Sequence, residues 1–319
     1  MKKLDSIQDY RELFGELRQL RKLRLSRKDK IHSNIKRRYG RKRLEEFVEK
    51  FWEGGYVHLE SGDYLYIPPI KEMGHPLRLI QPYVPEQIIP KFCKPGNVVM
   101  DIGANVGEWT LNMAKMVSNT GRVFSIEPVP SMVEALKKTV AINNLSQVSI
   151  FQGAMSNQKG YSKLTIPFTK ENQALPFGSQ LGEGYAPPPK DVVVTWGAMA
   201  TTKTIEVQTT TIDSFSSENG VKKLNFIKVD VEGHEKYVIE GGIQTFKTLK
   251  PALFLEVGAE KMEDREIIAD QLRGLDYEIV GIILHDGVIE VNWSQYINMK
   301  KPFEPAYYVN VLFLPSFIY

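Results

Sequence analysis

A chain of 319 residues with 42% hydrophobic side chains can bury a full-sized core, and its ordinary glycine, proline and aromatic content excludes fibrous and wholly disordered classes. A single cysteine, Cys93, excludes an intrachain disulfide, no Cys/His cluster has zinc-site spacing, and no run approaches the roughly 18 apolar residues of a membrane span. The net charge of +3 divides unevenly, because residues 1–50 hold 17 Lys/Arg against 8 Asp/Glu and the remainder has six more acids than bases.

Met1-Lys2-Lys3-Leu4-Asp5 runs into charged residues without an apolar signal region, so a cytoplasmic chain is expected. In residues 6–25, Ile7, Tyr10, Leu13, Phe14, Leu17 and Leu20 recur at helical intervals opposite a basic face. Leu44, Phe47, Val48 and Phe51 repeat the pattern over 41–53 until Gly54-Gly55 stops it. Residues 1–55 therefore read as a basic helical extension, suited to capping the main domain or to a homo-oligomer contact. Its charge also suits nucleic acid, an anionic membrane surface reached peripherally, or a phosphorylated carrier, although a solvated helical face is the plainer reading.

Residues 56–95 are rich in Tyr, Pro and Gly, and Tyr64-Leu65-Tyr66-Ile67 ahead of Pro68-Pro69 suggests a small hairpin and entry segment. From 96 to 319, strand-length apolar runs alternate with helix-length amphipathic segments. Strands are expected near 98–102, 122–127, 148–152, 225–230, 252–257, 277–283 and 307–314, with helices near 107–117, 130–143, 234–247 and 261–273. The fold class is α/β: a Rossmann-like, seven-stranded, mainly parallel, doubly wound sheet. Residues 167–203, with Pro167, Pro176, Gly178, Gly182, Gly184 and Pro187-Pro188-Pro189, break the rhythm and read as a lid or substrate insert.

The most informative segment runs Val98-Val99-Met100-Asp101-Ile102-Gly103-Ala104-Asn105-Val106-Gly107, an apolar strand turning into a helix beyond the carboxyl end of a central strand. Gly103 lets the backbone approach a bound group and Gly107 permits tight helix–strand packing. The turn lacks both the Gly-x-Gly-x-x-Gly of dinucleotide folds and the Gly-Lys-Ser/Thr of a phosphate loop. The next strand ends in Glu127-Pro128, 24 positions beyond Gly103, about where a carboxylate meets ribose hydroxyls. The third opens into Gly153-Ala154-Met155, small and apolar enough to receive an adenine ring.

Asp101 to Gly107, Glu127-Pro128, Thr211-Ile212-Asp213-Ser214-Phe215 and Ile227-Lys228-Val229-Asp230-Val231-Glu232-Gly233-His234-Glu235 together resemble the FkbM family of methyltransferases. The resemblance covers roughly 96–260 and implies a class I methyltransferase fold that binds S-adenosyl-L-methionine. It implies O-methylation of a hydroxyl on a small molecule, sugar, glycan or secondary metabolite. By that likeness Asp101, Gly103, Ala104, Asn105, Val106 and Gly107 line the methionine end, Glu127 and Pro128 hold the ribose, and Gly153 and Ala154 lie near the adenine. Asp230 would face the methionine amino group or the acceptor. The family often has Ala where this chain has His234.

Methyl transfer to an alcohol is an in-line displacement that needs a base for the hydroxyl proton. Asp230, Glu232 and His234 rank as catalytic candidates in that order, and Glu256, closing the strand Leu253-Phe254-Leu255, joins His234 as a candidate substrate contact. A divalent ion on Asp230, Glu232 and His234 is disfavoured, because a helix start disrupts the alternation that would converge them. The less favoured functional classes are a nucleic-acid methyltransferase using the basic arm and a non-catalytic binding protein on the same fold.

Overall fold

The computed structural model describes residues 52–59, 61–70, 89–175, 177–183, 199–258, 262–284, 287–299 and 309–316. The helices expected over 6–25 and most of 41–53 lie outside the described residues. Among the described residues no helix is long and apolar enough to cross a membrane.

A hairpin of β1 (Gly55–His58) and β2 (Tyr64–Ile67) comes first, followed by the short α1 (Ile89–Phe92) and the buried thiol of Cys93. The core unit then runs β3 (Val98–Ile102), α2 (Glu108–Val117), β4 (Arg122–Glu127), α3 (Pro130–Ile142) and β5 (Val148–Gln152). The hairpin is fastened to α3: the Tyr64 amide donates to Asn143 Oδ1 at 2.9 Å and the Tyr66 amide to Thr139 Oγ1 at 3.0 Å. Its apolar face, Val57, Leu65 and Ile67, is fully buried, so the hairpin shares a core with α3 and carries no hydrophobic face of its own to solvent.

After β5 the chain builds a second, four-stranded sheet of β6 (Ala154–Met155), β7 (Gly160–Phe168), β8 (Gln180–Leu181) and β9 (Thr201–Thr210), in the order β6-β9-β7-β8. It then returns through α4 (Ile212–Glu218), β10 (Phe226–Val229), α5 (Glu235–Glu240), α6 (Ile243–Leu249), β11 (Ala252–Val257), α7 (Met262–Gly274), β12 (Tyr277–Leu284), β13 (Gly287–Glu290), α8 (Trp293–Asn298) and β14 (Val309–Pro315).

The main sheet has the order β13-β12-β14-β11-β10-β3-β4-β5. The pairs from β11 through β5 are parallel, and β14 inserts antiparallel between β11 and β12. Side chains alternate across this sheet. Ile227 and Val229 face the core made with α4 to α7, whereas Phe226 joins Val99, Val123 and Phe254 against α2. Chain order reverses between β3 and β10, so the crevice beyond their carboxyl ends is the switch point where α/β sheets take ligands.

Three expectations are corrected. The sheet has eight strands, because β13 adds antiparallel to β12, in register from Gly281↔Glu290 to Leu284↔Gly287. The helix expected over 234–247 is two helices broken at Gly241-Gly242, where a Cβ on Gly241 would lie 2.0 Å from the Ser156 carbonyl oxygen. The irregular stretch at 167–203 begins and ends inside strands, since β7 and β9 pair along Gly160–Phe168 and Thr201–Thr210. Pro167 is tolerated because β8 covers only Leu164 and Thr165 on the other side of β7.

Candidate active site

The glycine turn is built by backbone bonds. The Gly103 and Ala104 amides both donate to the Ile126 carbonyl at 3.0 Å, which holds the end of β3 against β4. Gly103 (φ 80), Asn105 (φ 51) and Gly107 (φ 98) all take left-handed backbone, a conformation costly for residues with a Cβ. A Cβ on Gly103 would meet the Asp230 carbonyl oxygen at 1.8 Å. Gly103 therefore lets the turn touch the end of β10, which brings two halves of the crevice together. A Cβ on Gly107 would meet Leu136 Cδ1 at 2.6 Å, so its close partner is helix α3 and not the strand expected.

Glu127 and the turn meet as the sequence spacing suggests. Its Oε2 accepts from the Asn105 amide at 2.8 Å and its Oε1 from the Val129 amide at 2.9 Å. Each oxygen keeps a further lone pair for a ligand. The side chain is 5% exposed, and burial pushes its carboxyl up to about 7 against the pull of those two amides. Asp101, by contrast, has no exposed surface; it lies under the turn, where its Oδ2 accepts from Thr110 Oγ1 at 2.6 Å. A Cβ on Gly153 would meet the Phe151 ring at 2.5 Å and the Gln208 carbonyl at 2.8 Å, and Ala154 starts β6 with its side chain buried.

The end of β10 carries the other half. Asp230 keeps 30% of its side chain exposed, the most open carboxylate touching Lys228. Glu232 (φ 54) and Gly233 (φ 100) then turn the backbone left-handed, and the Glu235 carboxylate steadies the turn by accepting from the Val231 and Gly233 amides. Glu232 Oε1 accepts from the Gly178 amide at 2.9 Å, and burial pushes the Glu232 carboxyl up to about 7. Glu256, at the end of β11, is buried against Asp230 and hydrogen-bonded to it; burial and the neighbouring charges of Asp230 and Glu232 raise its carboxyl well above the ordinary range.

His234 faces another way. Its Nε2 lies 2.9 Å from Ser156 Oγ and its ring packs 4.6 Å from that of Tyr237. Burial, helped by Lys236, pushes the imidazole down to about 4, so it is neutral at physiological pH.

Two further groups stand in the crevice without having been picked from the sequence. Lys228 is 3% exposed, with Nζ 3.0 Å from both the Gly103 carbonyl and Asp230 Oδ2 and 3.6 Å from Asp101 Oδ1. Its signal was available, since a charge inside the apolar run Phe226–Val229 needs a buried partner. Glu108 opens α2, and burial pushes its carboxyl up to about 8.

The donor set thus consists of carboxylates from the ends of β4, β10 and β11 and the start of α2, around one buried ammonium. Such a crevice favours a cationic ligand with a diol for Glu127, and the lone pairs left on Glu127 and the open Asp230 fit a sulfonium nucleoside that bears an amino group.

Comparison with known proteins agrees with this chemistry. The model of the methyltransferase FkbM domain matches residues 101–279, and that of protein-L-isoaspartate(D-aspartate) O-methyltransferase matches 18–170. The 2-O-methyltransferase NoeI of Sinorhizobium fredii is 26% identical over 162 residues, 51% of this chain and 64% of NoeI. The 31-O-demethyl-FK506 methyltransferase FkbM of Streptomyces tacrolimicus is 26% identical over 159 residues, 46% of this chain and 60% of its own. The match thus spans less than two thirds of either relative. The crystal structure of methyltransferase FkbM from Methylobacillus flagellatus KT aligns with 85% of this chain and 58% of that one, at 14% identity and a TM-score of 0.42. The matched 101–279 is more than half of the 319 residues and takes in the glycine turn, Glu127, the acid turn after β10 and Glu256, and by that match this chain belongs to the FkbM family of methyltransferases.

Proposed function

We propose that this chain is an S-adenosyl-L-methionine-dependent O-methyltransferase that modifies a hydroxyl on a sugar, glycan or secondary metabolite. The observation that carries the reading is the Glu127 carboxylate, fixed by the Asn105 amide from within the glycine turn and so aimed where a ribose diol would lie. The names of the two relatives, a 2-O-methyltransferase and a 31-O-demethyl-FK506 methyltransferase, support the oxygen acceptor.

The donor, when bound, supplies an electrophilic methyl on a sulfonium. Glu127 binds and orients it through the ribose. Asp230, open to the crevice and backed by Glu256, is the first candidate to take the acceptor's hydroxyl proton on its carboxylate. Glu232 is engaged with the Gly178 amide, which gives it a role in closing the site before any role as a base. His234, bonded to Ser156, ranks behind both.

Calorimetric titration of the full chain with S-adenosyl-L-methionine tests the reading. Wild type should bind, and Glu127→Ala should lose about 2 kcal/mol of affinity, roughly thirtyfold, for two charge-assisted hydrogen bonds. Equal affinity in both proteins would remove Glu127 from the donor site. Mass spectrometry of extracts incubated with labelled donor and enzyme would then identify the acceptor.

A further inference from the structure

We propose that Lys228 is a positioning residue for methyl transfer: its buried ammonium ties the glycine turn to the end of β10 and holds the Asp230 carboxylate in place at the crevice. This rests on the donor reading above, and three observations carry it.

The first is placement. Lys228 projects from a central strand toward α2, with Nζ 5.9 Å from the Trp109 ring centroid, and almost none of its surface meets water. An ammonium taken out of water costs several kcal/mol unless its donors are matched.

The second is the match. Around this ammonium stand the Gly103 carbonyl, which accepts its hydrogen bond at 3.0 Å, and two carboxylates at ion-pair distance, Asp230 Oδ2 at 3.0 Å and Asp101 Oδ1 at 3.6 Å. They belong to the glycine turn, the end of β10 and β3. One atom thereby fixes the spacing between the turn and the acid that faces it across the crevice.

The third is an asymmetry between the two carboxylates. Asp101 is wholly buried and has the Thr110 hydroxyl as a second partner, whereas Asp230 reaches the crevice. Asp230 is therefore the partner through which Lys228 touches the chemistry.

Lys228 is not itself a base. Burial pulls the ammonium toward neutrality, but Asp230 and Asp101 overcome that pull and keep it charged. Its field also reaches Glu108 on α2, Glu127 on β4, Glu232 on the turn after β10 and Glu256 on β11, drawing each carboxyl toward ionisation against burial. Removing the cation leaves these acids protonated to higher pH, and a cationic donor meets a weaker seat.

The alternative is that Lys228 merely neutralises Asp101. The two separate when Asp101→Asn is compared with Asp101→Asn/Lys228→Met, which removes that charge pair together. Both full-length variants are titrated with S-adenosyl-L-methionine from pH 5.5 to 8.5, with circular dichroism to verify folding. The double variant should bind at least about tenfold more weakly at neutral pH than Asp101→Asn, and its affinity should begin to fall at a higher pH on acidification. Equal affinities with the same pH dependence would overturn the proposal.

Selective 15N observation of lysine ammonium groups in wild type gives a second readout that needs no variant. A slowly exchanging Nζ resonance should move when donor is added, and a buried resonance that does not move would also overturn it. A wild-type chain that takes up no donor defeats the methyltransferase reading and this one together. Normal wild-type binding with matched variants defeats this one alone.

Discussion

Glu232 and Gly178 are 54 residues apart in sequence and 2.9 Å apart in space, joined by a hydrogen bond from the Gly178 amide to the Glu232 carboxylate. The bond ties the second sheet's β7–β9 excursion to the left-handed turn after β10, so residues expected to cover the acceptor are tied to the acid cluster. Glu232→Ala should release Gly178, and amide exchange there should accelerate by about tenfold or more, as loss of a bond to a charged acceptor implies. Glu232→Gln keeps an acceptor oxygen and should retain most of the protection. Equal exchange in Glu232→Ala and wild type would show that the bond does not restrain the loop.

Glu127 makes stability depend on pH. Its folded carboxyl sits near 7 against an ordinary 4.5 because burial penalises the charge. The raised value means that the folded chain is favoured while the group is protonated in both states, and that this advantage is lost as pH rises from about 4.5 through 7. Without donor, the Glu127→Gln variant should lose less thermal stability than wild type between pH 5 and 8, by on the order of 3 kcal/mol. Parallel melting curves across that range would contradict the shift.

His234 behaves oppositely. Its folded value near 4 lies below the ordinary 6.5, so protonation costs the folded state stability as pH falls below 6.5 toward 4. Between pH 6 and 8 the ring should stay neutral, and its imidazole proton resonances should not titrate. A midpoint near 6.5 by NMR would mean that the Ser156 contact and the burial around it do not hold in solution.

Gly241 and Gly274 offer a matched pair. A Cβ on Gly241 would strike the Ser156 carbonyl oxygen, while one on Gly274 has nothing within 4 Å. Gly241→Ala should cost about 2 to 4 kcal/mol in denaturant unfolding, through overpacking against a backbone that cannot yield. Gly274→Ala, at the end of α7, should be neutral or stabilising by up to about 1 kcal/mol.

The parallel strands were legible because strands buried on both faces read as unbroken apolar runs, as Leu253-Phe254-Leu255 does. The second sheet was not. Thr201–Thr210 is largely threonine with few apolar side chains, and only Val207 among its hydrophobics is buried, while Pro167 interrupts the pattern of β7. Hairpin pairing across more than thirty residues of separation leaves no local trace.

In the site, spacing sufficed to join Glu127 to the glycine turn, because both belong to one strand–helix–strand unit. It could not tell that Gly103 spares a contact with Asp230, or that His234 turns to Ser156. Both depend on strands that meet only in three dimensions. Lys228 was overlooked for a different reason: a lone cation in an apolar run reads as an interruption until the acids around it are seen.

Cys93 is the chain's one cysteine; it is buried behind α1, with its thiol pushed up to about 12 by burial. So little thiolate forms at neutral pH that it should ignore maleimides. A cysteine introduced at Tyr161, whose side chain is 72% exposed on β7, would therefore accept a fluorophore alone, without first removing the native sulfur. The chain comes ready for single-site labelling, and a dye on the second sheet could report its movement in real time as donor and acceptor are added.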